Sequence, residues 1–260
     1  MLKNTLTILV VMIAPALAQK NPRPHLDSSS GIGNTIVSHI ADGGGWKTSI
    51  VLVNLSQSKA ANFRLNLFGD DGTPQQFTFE SLGSKTVVSG TLAVGGSVVI
   101  KTAGTSSPIT QGWGQLDSLA TTDSVGGYAV FRNGNGNEAA VPFESTIGEA
   151  PVLPLDNTNG LGMGVALANS DFTAMTINAT FRDGNGGVIG TSQFTMQPNT
   201  HTSFVLTDKW PFTAGKQGTV SFDCSDKFGK NAFGLAVLGL RFTPAGAFTS
   251  VAAFTKWTLD

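Results

Sequence analysis

The stretch GGGWKTSIVLVN, residues 43–54, decides the fold because the chain repeats it. It is followed by NFRLNLFGDDG (62–72), and the pair returns as NGLGMGVALAN (159–169) and TINATFRDGNG (176–186). Two further pairs keep the same order, namely LAVGGSVVI (92–100) with MQPNTHTSF (196–204) and QGWGQLD (111–117) with QGTVSFD (217–223). Equivalent positions lie roughly 105 to 115 residues apart, the size of one small domain. The sequence therefore predicts two related modules in tandem.

Short strands account for most of both halves. Residues 63–67 alternate between apolar and polar, and residues 176–181 do the same, which is typical of half-buried strands. The continuous apolar run 50–53 indicates a strand that is buried on both faces or lies at the centre of a sandwich. Asp-Gly and Asn-Gly turns separate the strands, and no helical period persists beyond two turns. We therefore expect an all-β protein with two tandem related β-sandwich modules, immunoglobulin/fibronectin-like, after a signal peptide.

The N-terminus has the pattern of a secretory signal peptide. Lys3 precedes an apolar run over residues 6–13, and Ala16-Leu17-Ala18 forms a cleavage site, so we predict a signal peptide at 1–18. The alternative is an uncleaved anchor, for which the apolar run is short, since a spanning helix needs about 20 apolar residues. We expect a secreted, periplasmic or cell-surface protein with no membrane span after cleavage.

The remaining boundaries follow from composition. Residues 19–35 contain prolines, serines and glycines and are predicted to be a flexible N-terminus. The first module is placed at 36–145 and the second at 159–260. The stretch 146–158 contains Pro151 and Pro154 and is predicted to be an extended linker, because proline cannot donate to a strand ladder. Each module is near the size at which stability is marginal, so direct contact between them is expected.

The strings ADGGGWKTSIVLVN, LAVGGSVVI, LDNTNGLGMGVALAN and PAGAFTS resemble an uncharacterised secreted bacterial family of tandem β-sandwich domains. The resemblance covers nearly all of the chain after residue 18. Its motifs are structural, and the family has no assigned activity. It implies the two-module architecture and carries no catalytic residue to this sequence.

Charge and cysteine content exclude several classes of protein. The net charge is −1 and no run of Lys and Arg occurs, so nothing provides the electrostatic footprint of a nucleic-acid-binding protein. The one cysteine, Cys224, cannot form an internal disulfide, and it shares an apolar strand face with Val220 and Phe222. We interpret it as a buried core thiol rather than a nucleophile.

Two equivalent loops carry oxygen ligands. Asp70 and Asp71 lie in the first loop, and Asp183 and Asn185 lie in the second. Such residues suit Ca²⁺, which takes six to eight oxygen ligands, but no complete EF-hand spacing is present. Asp-Gly and Asn-Gly are also common hairpin turns, and turn formation is the favoured interpretation. No other cofactor is expected.

Two tryptophans are candidate ligand-binding residues. Trp46 follows three glycines, and Trp113 stands between Gly112 and Gly114. Flat aromatic faces beside small residues hold sugars in many binding modules. The alternative, that both indoles cap a core, is favoured. Thr219 replaces Trp113 in the repeat, which favours an exposed Trp113 and predicts that a sugar site would lie in the first module alone.

Catalytic patterns are weak. The chain has three histidines, His25, His39 and His201, and lacks the G-x-S-x-G and zinc-binding motifs. His201 is expected to lie on the surface or in a turn. Paired carboxylates of a glycoside hydrolase would come from the following acidic residues: Glu80, Asp117, Glu138, Glu144 and Asp223. The sequence gives no reason for any two of them to meet.

The sequence thus favours an exported, non-enzymatic protein with a structural, adhesive or interaction role. Its partner would be an extracellular protein or a polysaccharide. A carbohydrate-binding module that uses Trp46 and Trp113 is the alternative, and a glycoside hydrolase is the weakest hypothesis.

Overall fold

The computed structural model describes residues 35–118, 125–145, 149–227, 229 and 234–256. The predicted signal peptide at 1–18 and nearly all of the N-terminal segment 19–35 lie outside these residues. The described chain is almost entirely strand, with one short helix, α1 (Leu206–Lys209), and one 3₁₀ turn (Pro211–Thr213). The prediction of an all-β protein is confirmed.

The first half of the chain forms two main sheets and a small hairpin. Its strands are β1 (Thr35–Asp42), β2 (Lys47–Asn54), β3 (Ala61–Gly69), β4 (Phe77–Phe79), β5 (Gly83–Lys85), β6 (Val87–Leu92), β7 (Ser97–Lys101), β8 (Thr110–Ser118), β9 (Val125–Arg132), β10 (Glu138–Pro142) and β11 (Glu144–Ser145). The sheets have the orders β11-β1-β8-β3-β6 and β10-β9-β2-β7, and β4 pairs with β5. The inward faces of the two main sheets share one apolar core.

The second half forms two sheets of its own. Its strands are β12 (Glu149–Asp156), β13 (Gly162–Asn169), β14 (Met175–Asp183), β15 (Val188–Met196), β16 (His201–Val205), β17 (Gln217–Asp226), β18 (Leu235–Phe242), β19 (Phe248–Ala252) and β20 (Phe254–Lys256). The orders are β20-β12-β17-β14-β15 and β19-β18-β13-β16. Each sheet reproduces a sheet of the first half, strand for strand, in the order of the sequence repeat.

The repeat extends to individual hydrogen bonds at the end of β2 and of β13. Asn54 donates from Nδ2 to the carbonyls of Lys59 at 2.8 Å and Ala93 at 2.9 Å. Asn169, at the equivalent end of β13, donates to Thr173 at 3.0 Å and Gln197 at 2.9 Å. Both asparagines are buried, so each side chain satisfies carbonyl groups that would otherwise be left without donors.

The predicted linker 146–158 is wrong over most of its length. Residues Glu149–Asp156 form β12, which pairs with β17 from Val152 to Asp156. On its other side, the ladder with β20 ends at Val152. Proline is tolerated at bulges and beside unpaired positions. Pro151 lies within the irregular step from Glu149 to Val152, and Pro154 lies beyond the end of the ladder with β20, so both prolines fit the strand.

Burial shows how the two halves differ. After Lys47, β2 alternates between buried and half-buried residues and lies between β9 and β7 in its sheet, so of the two expectations for residues 50–53, burial on both faces is wrong. In the equivalent strand β13, the last five residues are all buried. The difference arises because the outer face of β13 packs against the first half. Within the described residues, no helix has the length and apolar character needed to cross a membrane.

Candidate functional site at the seam between the halves

The two halves meet along a zone that we call the seam. In it β1, β8 and β10 of the first half contact β13, β16, β18 and β19 of the second. Small residues on the outer face of the second half, Ala168 and Ala236, pack against Ile36 and Trp113. No large side chain separates the halves at these two alanines, so the two backbones can approach closely there. The expected direct contact between the halves is therefore present in the structure.

Trp113 is the largest side chain that the seam buries. Its exposed fraction is 0 %, its ring stacks on Phe68 at 4.8 Å, and its Nε1 donates to the carbonyl oxygen of Asn199 at 2.7 Å. The predicted exposed sugar platform at Trp113 is therefore wrong. In the first half Trp113 lies opposite Phe68, and in the second half Thr219 lies opposite Arg182 in the equivalent pair of strands. Thr219 is therefore the structural equivalent of Trp113. The exchange to threonine reflects that this face is covered in the first half only.

A chain of three polar side chains crosses the seam beside Trp113. Nδ1 of His39, in β1, lies 3.1 Å from Nε2 of His201, in β16. Nδ1 of His201 lies 2.7 Å from Oδ1 of Asp70, in the turn after β3. The His201 backbone N–H also donates to the carbonyl of Asp70 at 3.3 Å. His201 is 3 % exposed, so the expectation that it is a surface or turn histidine is wrong.

A β-bulge places His39 at this position. Between Val37 and Ile40 the register of β1 against β8 shifts, so β1 carries one extra residue there. The equivalent ladder between β12 and β17 runs without a shift from Val152 to Asp156. Bulges re-aim side chains and are common beside functional sites. No local sequence signal predicts this one, and for that reason sequence reasoning missed the His39–His201 pair.

The direction of the hydrogen bonds follows from Asp70. An ionised carboxylate can only accept, so Nδ1 of His201 carries a proton, and in the neutral His201 ring Nε2 is then the acceptor for Nδ1–H of His39. Nε2 of His39 then carries no proton and has a lone pair that can accept a hydrogen bond. Burial, and secondarily the nearby His201, lower the pKa of His39 from 6.5 to about 3, which keeps this ring neutral at ordinary pH.

Next to His39 the seam forms a partly open cavity of about 230 Å³, which we call the seam cavity. Its walls come from both halves and include Phe131, Val165, Leu238 and Trp46. Trp46 is half-buried and packs on Phe248 of the second half at 5.2 Å. A site built on Trp46 would therefore include residues of both halves, unlike the predicted sugar site in the first module alone.

The predicted metal ligands have other partners. Asp70 binds His201, and Oδ1 of Asp71 accepts from the backbone N–H of Thr73 at 2.9 Å. Oδ1 of Asp183 accepts from the N–H groups of Asn185 and Gly187, both at 2.9 Å. These are the bonds of Asx-type turns. Among the described residues, no three His, Cys, Asp or Glu side chains gather as a metal site.

Most of the carboxylates considered for glycoside hydrolysis are also engaged in separate places. Glu80 pairs with Lys47 at 3.3 Å, Glu138 with Arg132 at 3.7 Å, and Asp117 accepts from Asn66 at 2.6 Å. The fourth, Glu144, accepts at Oε2 from the backbone N–H of Val237 across the seam at 2.9 Å, and burial raises its pKa to about 8.

The thiol of Cys224 is half-buried, and burial, with a contribution from Asp223, raises its pKa to about 12. A thiol with a raised pKa is a poor nucleophile at neutral pH, because the thiolate is the reactive form. This agrees with the interpretation of Cys224 as a packing residue.

Comparison of the chain with protein-family models, with curated proteins and with solved structures finds no match. The functional argument for this chain therefore rests on its own geometry.

Proposed function

We propose that this chain is an exported, non-enzymatic interaction protein in which two immunoglobulin/fibronectin-like β-sandwich modules act as one body and dock an extracellular protein. The shared strand order and the equivalent asparagine bonds support the two-module description. The bonded seam supports the single body. The docking role rests on one surface, the outer face of the sheet β10-β9-β2-β7.

That face carries an exposed apolar row. The chain's single tyrosine, Tyr128, lies opposite Val51, and Val51 lies opposite Val99 on its other side. Tyr128 is 41 % exposed and Val99 53 % exposed. Tyrosine is enriched in protein interfaces because its ring is largely apolar and its hydroxyl can still find a partner.

The repeat indicates what such a face does. The equivalent row in the second half is Leu238, Ala166 and Ser203, joined by the same register. Leu238 and Ala166 are buried at the seam, where they pack with the core of the first half. The same sheet face thus docks a β-sheet neighbour in one half and is uncovered, with larger apolar side chains, in the other. A second protein surface is the occupant that this comparison favours.

Site-specific photo-crosslinking tests the proposal. A photoreactive residue at Val99 in the full-length exported protein should yield a covalent product with an extracellular protein or with a second copy of the chain. The matched control is Val188 on β15, which is 55 % exposed on the other half. A specific product from Val99 alone supports the proposal. Equal labelling at both positions, or none at Val99, would contradict it.

Carbohydrate binding is the second candidate, and Trp46 is the observation that favours it. The indole of Trp46 is half-buried at the edge of the seam cavity, so part of its face is accessible. A pull-down on soluble and insoluble polysaccharides tests this function with the Trp46→Ala variant. Phe172→Ala is the control, because Phe172 is 86 % exposed and lies outside the seam cavity. Sugar binding is supported if the unmodified protein and Phe172→Ala are retained on a polysaccharide and Trp46→Ala is not. It is rejected if the unmodified protein is not retained.

A further inference from the structure

We propose that the seam cavity binds a small, neutral, apolar molecule that carries one hydroxyl group, such as a phenol. The inference is independent of the docking face, which is the outer face of the sheet whose inner face contributes Phe131 to the cavity. It rests on three properties of the cavity: its size, its apolar walls and the polar groups that line it.

Size and walls set the apolar part of the ligand. An apolar cavity of about 150 Å³ is sufficient to hold benzene in a protein interior. The seam cavity, at about 230 Å³, therefore has room for one ring with a small substituent. Phe131, Val165 and Leu238 are buried and form its inner wall. Ile109, Ser203 and Val205 are exposed and form its mouth, so a ligand can enter without separating the halves.

The polar groups set the functional group of the ligand. Nε2 of His39 presents a lone pair, and in the described part of the chain it meets no hydrogen-bond partner. Oε1 of Gln111 accepts from Oγ of Ser203 at 2.6 Å, so Gln111 has its amide N–H groups to offer. His39 and Gln111 both line the cavity. A hydroxyl group can donate to the first and accept from the second.

The same polar groups and apolar walls disfavour charged ligands. A carboxylate has no proton to give to Nε2 of His39, and it would lose its hydration among apolar walls without a cation to compensate. An ammonium group would meet a neutral imidazole and no carboxylate among the lining residues. A neutral hydroxyl is the class that both polar groups satisfy.

Paired probes test the proposal on the full chain. p-Cresol and toluene have similar shapes and differ in the hydroxyl group, and their binding can be measured by ligand-observed NMR. We expect p-cresol to bind about two- to tenfold more tightly than toluene, the usual net effect of one hydrogen bond. In His39→Phe, which keeps a ring and removes the acceptor, this preference should disappear. Equal affinities of the two probes for the unmodified protein would overturn the proposal.

Two further measurements locate the binding. Ile109→Trp places a large ring at the mouth, where Ile109 is 37 % exposed, and should abolish binding of both probes. Val188→Trp, on an exposed residue outside the cavity, should leave binding unchanged. In the unmodified protein, p-cresol but not toluene should shift the ¹⁵N resonance of Nε2 of His39, a readout that survives even if His39→Phe fails to fold. Binding that persists in Ile109→Trp, or an unshifted His39 resonance, would place the ligand elsewhere and reject the inference.

Discussion

The indole N–H of Trp113, in the first half, donates to the backbone carbonyl of Asn199, in the second half, over 2.7 Å. The indole has no access to solvent, and one face of its ring stacks on Phe68. Asn199 is half-buried, and a carbonyl that loses its donor in such a place is costly, so this bond ties the folding of one half to the position of the other. The seam is in this respect closer to a protein interior than to a loose contact between domains.

Trp113→Phe should destabilise the protein by about 1–3 kcal/mol, because it preserves most of the stacking and leaves the Asn199 carbonyl without its donor. Urea unfolding followed by circular dichroism measures the change. Trp46→Phe is the matched control, since Trp46 is half-buried and its contact with Phe248 is one of ring packing. A loss in Trp113→Phe no larger than in Trp46→Phe would show that the bond across the seam contributes nothing.

Gly72→Ala should weaken the seam more than Gly83→Ala. Both glycines have positive φ, +82° and +67°, so both substitutions carry the strain of that conformation, about 1–2 kcal/mol. A Cβ at Gly72 would also lie 2.5 Å from the carbonyl oxygen of Pro198 across the seam, whereas one at Gly83 meets nothing within 4 Å. We expect the urea midpoint to fall clearly further for Gly72→Ala. Equal midpoints would mean that the seam can open locally without loss of stability.

The sequence was sufficient for those parts of the fold that depend on local pattern. The alternation in β3 appears as alternating burial, and the repeat of SIVLVN by GVALAN appears as equivalent strands with the same asparagine bonds. Alternation of apolar and polar residues indicates that one face of a strand is buried, whichever element covers that face. It does not report what covers the other face, so the different burial of β2 and β13 was not predictable.

The candidate site was largely hidden from sequence reasoning for the same reason. His39 and His201 are separated by 162 positions, and a bulge that no motif marks brings them together. The exposure of Trp113 that its replacement by Thr219 in the repeat favoured is wrong, since the side chain is buried. The flanking glycines are not a sign of exposure either. Gly112 instead allows β3 to approach, since a Cβ there would collide with the carbonyl of Phe68.

Acid should destabilise the protein through His39. The pKa of His39 is about 3 in the folded protein and 6.5 in the unfolded chain, so between these values the unfolded state binds more protons. The stabilisation is complete above pH 6.5 and is lost as the pH falls toward 3, by an amount on the order of 2 kcal/mol at pH 4.5.

His39→Gln removes this titration, so the difference in unfolding free energy between the variant and the unmodified protein should change between pH 7 and pH 4.5. Urea unfolding at both values measures it. His201 and Asp70, which face His39 along the hydrogen-bonded chain, are present in both proteins. An unchanged difference would show that His39 titrates normally in the folded state.

Glu144 should produce the opposite dependence on pH. Burial raises its pKa to about 8 from 4.5, so between these values the folded state binds more protons, and the stability falls as the pH rises through that window. Glu144→Gln keeps an oxygen for the Val237 N–H at 2.9 Å and stays neutral. It should be more stable than the unmodified protein at pH 8.5, by on the order of 4–5 kcal/mol, and close to it at pH 4.5. Glu138→Gln, on an exposed carboxylate paired with Arg132, is the matched control, and urea midpoints at the two pH values are measured for both variants. A Glu144→Gln midpoint below that of the unmodified protein at pH 8.5 would mean that the charged carboxylate stabilises the seam, contrary to the raised pKa.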